Sequence, residues 1–73
     1  MTVRLVVCME AASGKRQELV EVFASLCHSV RDEPGCQQYE LFQSTERPDQ
    51  FALLERWVDQ NALDIHGELL RER

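Results

Sequence analysis

Of the two histidines in this chain, His66 is the one whose surroundings suit chemistry. It falls between Ile65 and Leu69 in an apolar stripe at helical spacing (Ala62, Ile65, His66, Leu69, Leu70), which turns its imidazole toward the interior. A ring shielded from water stays neutral, the state in which it can take a proton as a general base. A core histidine bonded to a backbone carbonyl would show the same spacing, so periodicity leaves both readings open. His28 lies on the polar face of an earlier helical stretch and reads as solvated.

Trp57 closes an apolar strand, and the turn and helix that follow could bring its indole and His66 to one cavity. There it would wall a flat ring and donate one N–H, or it would simply fill core volume. Tyr39 divides in the same way between a packed ring and a pocket hydroxyl. Leu53, on the Trp57 face of its strand, is the candidate apolar contact. Cys8, Cys27 and Cys36 have neither CxxC spacing nor ligand spacing with a histidine, which gives no metal set and no Cys–His nucleophile. Cys8 and Cys27 read as small hydrophobes. No phosphate loop, dinucleotide fingerprint or serine elbow occurs. The carboxylates read as a solvated exterior of helix surfaces and turns.

These residues need elements to position them. Thr2 to Glu10 alternates, with Val3, Leu5, Val7 and Met9 on one face, and reads as a strand. Ser13 is the candidate cap of a first helix whose stripe is Leu19, Val22, Phe23, Leu26 and Val30, stopped by Pro34-Gly35. Cys36 to Ser44 and Phe51 to Val58 read as strands of a hairpin joined by the polar segment Thr45 to Gln50. Asp59 is the candidate cap of the second helix. The order β-α-β-β-α predicts an α+β, ferredoxin-like split βαβ unit whose last strand is missing. In that topology the first strand sits beside the third and leaves an apolar edge, to be covered by a partner chain or by a fourth strand of a longer chain. The run Arg71-Glu72-Arg73 reads as a helix cut in mid-course.

Seventy-three residues allow one domain, 1–73. A chain of that size buries about 60% of its unfolded surface, which makes a lone copy marginal and favours oligomerisation. Eight basic against 13 acidic residues give a net charge of −5, which argues against nucleic acid and anionic membrane surfaces. The opening residues do not read as a secretory leader, so reduced thiols in a cytoplasmic location are expected.

The words EPGC (Glu33 to Cys36), then Tyr39 and Leu41, then LLERWVDQNALDIH (Leu53 to His66) resemble the antibiotic biosynthesis monooxygenase family. The resemblance implies a dimeric α+β barrel acting without cofactor or metal on a small aromatic substrate with O₂. Quinols and anthrones are the implied substrates: the ring is deprotonated and its anion passes an electron to O₂ directly. His66 would be the base and Trp57 the second catalytic residue, Trp57 and Tyr39 orienting the ring; Tyr39 and Leu53 would bind the substrate. The haem-degrading branch carries an Asn on the first strand, and TVRLVVCME has none. An isomerase of a small carbonyl compound and a non-catalytic dimeric ligand-binding module are the alternatives.

Overall fold

The computed structural model describes residues 1–72. Strand β1 (Val3–Glu10) leads to helix α1 (Arg16–Val30), then strands β2 (Cys36–Gln43) and β3 (Gln50–Trp57), and finally helix α2 (Gln60–Arg71). The three strands form one antiparallel sheet in the order β1-β3-β2. This is the α+β, split arrangement that the periodicity predicts, with strand ends within a residue or so of expectation. β3 sits in the middle because it is apolar on both faces and can be covered on both. β1 lies beside it in the register Val7↔Leu53 and Leu5↔Glu55, and β2 on the other side in the register Leu41↔Leu53 and Tyr39↔Glu55. Both helices cover one face, where Cys27, Val30, Tyr39, Leu53, Trp57 and Ala62 form the core.

Several local expectations are corrected. Ser13 does not cap α1; it belongs to a turn closed by Lys15 N–H donating to Ala12 O, with Gly14 at φ +76°, and the capping residue is Lys15. α1 ends at Val30, before Pro34-Gly35, because Arg31 and Asp32 N–H groups close its last turn on Cys27 O and Ser29 O. Its buried stripe is rotated: Cys27 is enclosed and Val22 is exposed. Cys27 packs into the core cluster with Val30, Tyr39 and Trp57. On α2, Ala62 and His66 are buried while Ile65 faces out. Cys8, expected as a packed hydrophobe, is exposed on the face of the sheet that no helix covers. Asp59 caps α2, its carboxylate accepting from Ala62 N–H at 2.8 Å.

One contact decides how the site is assembled. Gly35 sits at φ +82° against the start of α2, where an added Cβ would lie 2.6 Å from Ala62 Cβ and 2.8 Å from Val58 Cγ1. Its carbonyl accepts from Val58 N–H at 2.8 Å. Only glycine permits both the backbone conformation and that approach. The α1–β2 turn is thereby held on the first turn of α2, one helical turn before His66.

Candidate functional site

His66 is 4% exposed and is held from three sides. Its Nδ1 lies 3.0 Å from Glu33 Oε1. A carboxylate oxygen accepts, so Nδ1 carries a hydrogen and donates, which in the neutral ring leaves the lone pair on Nε2. The ring stacks on Trp57 with centroids 4.7 Å apart and planes 29° from parallel. Tyr39 meets the same imidazole edge-on at 5.4 Å and the indole at 6.4 Å. Periodicity alone left a backbone carbonyl as one partner for this histidine; the partner found is a carboxylate.

Glu33 and Glu55 overturn the expectation that all carboxylates lie outside. Glu33 is nearly enclosed beside His66, placed there by the Gly35 contact. Glu55 is 7% exposed, and its Oε1 accepts from Trp57 Nε1–H at 3.0 Å. The indole N–H, which the sequence reading would have given to a ligand, is bonded here to a carboxylate of its own strand. Trp57, 0% exposed, lies behind His66 as a backing surface.

A cavity of about 340 Å³ opens between the sheet and the helices. Leu5, Val7 and Met9 of β1, Phe23 and Leu26 of α1, and Leu63 and Leu70 of α2 give it hydrocarbon walls; Tyr39, Leu53, Glu55 and His66 complete it. Its size and lining are those of a small-molecule pocket with a few convergent polar groups. The inward face of β1, expected to be fully buried, borders this space and leaves Val7 partly exposed. Among the described residues no enclosed side-chain nitrogen or oxygen lacks a hydrogen-bond partner. His66 Nε2 makes no hydrogen bond to the described residues, and the cavity is the space its residue borders.

Of the four residues singled out from the sequence, Tyr39, Leu53 and His66 border the cavity and Trp57 supports His66 from behind. Sequence reasoning missed both carboxylates. Glu55 had a signal: it shares the odd-numbered parity of Leu53 and Trp57 and so must point the same way. Glu33 had none beyond its place before Pro34-Gly35, since its contact with His66 spans 33 residues. Burial pushes the thiols of Cys27 and Cys36 above their ordinary value, so neither is an activated nucleophile. Among the described residues no three His, Cys, Asp or Glu side chains converge as a metal-binding group.

Residues 2–69 match the profile of the family described as Antibiotic biosynthesis monooxygenase. YcnE, a candidate monooxygenase of Bacillus subtilis (strain 168), is 37% identical over 54 residues, which are 74% of this chain and 57% of that protein. Among solved structures, a conserved protein of Methanosarcina mazei superposes with a TM-score of 0.85 at 32% identity, over 90% of this chain and 65% of the other. A Pseudomonas aeruginosa protein gives 0.83 at 32% identity, over 89% and 66%. The chain thus spans a little over half of the curated relative and just under two thirds of each structural one.

Proposed function

From the premise that this chain belongs to the antibiotic biosynthesis monooxygenase family, we propose that it oxygenates a small aromatic quinol- or anthrone-like substrate with O₂, unaided by a prosthetic group. The observation that carries the reading is His66 bordering an apolar cavity with its Nδ1 hydrogen fixed on Glu33. Nε2 takes the proton of a ring hydroxyl (or the acidic CH of an anthrone). The imidazolium so formed faces the Glu33 carboxylate and lies on the π face of Trp57, two partners that favour positive charge. The electron-rich anion then gives electrons to O₂. One oxygen atom enters the product and the other leaves as water, the substrate supplying all the electrons. Hydrocarbon walls exclude bulk water while the anion and reduced oxygen coexist. Tyr39 and Leu53 confine the ring.

The test is O₂ consumption with a panel of quinols and anthrones. The parent should consume O₂, and His66→Ala should lower kcat by roughly 10²–10⁴-fold. Equal rates would remove His66 from the mechanism, and no uptake with any compound would overturn the oxygenase reading.

The same reading takes the protein to be a cytoplasmic homodimer. The helix-free face of the sheet supports it, with Val6 67% and Phe42 47% exposed beside Leu54 and Ala52. No helix among the described residues is long and apolar enough to cross a membrane.

A further inference from the structure

Glu55 is chemically out of place on β3. It stands between Leu53 and Trp57 on the inward face, in a cavity whose walls are mostly hydrocarbon and include no lysine or arginine. Oε1 is occupied by the Trp57 N–H. Oε2 makes no side-chain hydrogen bond with the described residues. No enclosed polar side-chain atom among the described residues lacks a partner, so Oε2 reaches accessible space, and on the inward face of β3 the space Glu55 borders is the cavity. A carboxylate oxygen in an apolar hollow is costly unless a donor reaches it. Trp57 also limits what the side chain can do, because it holds the carboxylate by one oxygen and leaves the other pointing elsewhere.

We propose that Glu55 is a specificity-determining residue that accepts a hydrogen bond from a second hydroxyl of the aromatic substrate, distinct from the one whose proton goes to His66. This rests on the preceding assignment of the cavity as the substrate site. The ligand class it selects is a ring bearing two hydroxyl groups, and a carboxylate at that position disfavours rings that carry an anionic substituent.

Calorimetric titration under argon with hydroquinone, 4-methoxyphenol and 1,4-dimethoxybenzene tests it, since these rings differ in how many hydroxyl hydrogens they retain. With His66 Nε2 and Glu55 both accepting, affinity should fall in two steps, each by about ten-fold or more. If hydroquinone and 4-methoxyphenol bind alike, only one acceptor meets the ligand; the Glu55 proposal is then overturned while the cavity assignment stands. Binding by none of the three overturns both.

Glu55→Gln gives an independent arm. Its carboxamide oxygen takes the indole N–H and turns the NH₂ toward the cavity, so a donor replaces an acceptor. The preference for hydroquinone over 4-methoxyphenol should shrink to nothing or reverse. An unchanged preference in the folded variant would defeat the proposal, and should that variant not fold, the wild-type series decides alone.

Discussion

Glu33 and His66 form the contact on which the chemistry turns, and they make a sharp expectation about catalysis. Glu33→Gln keeps the size of the side chain but weakens a charge-assisted hydrogen bond to Nδ1, so kcat should fall about 10- to 100-fold with KM little changed. Steady-state kinetics on the two proteins would show it; a loss confined to KM would mean that Glu33 serves binding instead. The buried thiols give a second expectation. Desolvation raises Cys27 and Cys36, so the folded state holds their protons more tightly than the unfolded chain does. Their contribution is whole below the unfolded thiol range and is lost as pH rises through the folded values, so stability should decline above about pH 9. Denaturant titrations between neutral and alkaline pH would measure the decline, and Cys27→Ser should flatten part of it. His66 was legible in advance because a lone polar residue in an apolar stripe is conspicuous. Glu33 was not, because nothing local marks a carboxylate whose partner lies on another element.

Elements bring these residues together through one glycine. Gly35→Ala would strain a left-handed backbone and drive a methyl group into Ala62, at a cost of about 2–4 kcal/mol. Gly14 offers the control: at φ +76° it has no heavy atom within 4 Å of an added Cβ, so Gly14→Ala should cost only about 1–2 kcal/mol. Thermal melts of the two variants should differ accordingly, and Gly35→Ala should also lose activity as Glu33 is displaced from His66. Strand boundaries and the Asp59 cap were readable because alternation and capping chemistry are local. The rotation of α1 was not: Cys27 and Val22 border the same apolar stripe from opposite sides, and only tertiary packing shows that Cys27 is enclosed and Val22 exposed.

The molecule as one body exposes 5169 Å², where scaling for a monomer of this mass gives about 4,700 Å². The excess fits a protein with one sheet face uncovered. On the proposed homodimer, Phe42→Lys should shift the equilibrium toward monomers in sedimentation, and Cys8, on that same face, should react with a maleimide faster in the variant than in the parent. The order β1-β3-β2 has a further result. Among the described residues β3 is the only strand hydrogen-bonded along both sides, so its amides should exchange with deuterium after those of β1 and β2. Leu53 and Glu55 thus border the cavity from the strand that is held on both sides, while Leu63, His66 and Leu70 reach it from α2. The cavity's floor is therefore expected to be its slowest-exchanging wall.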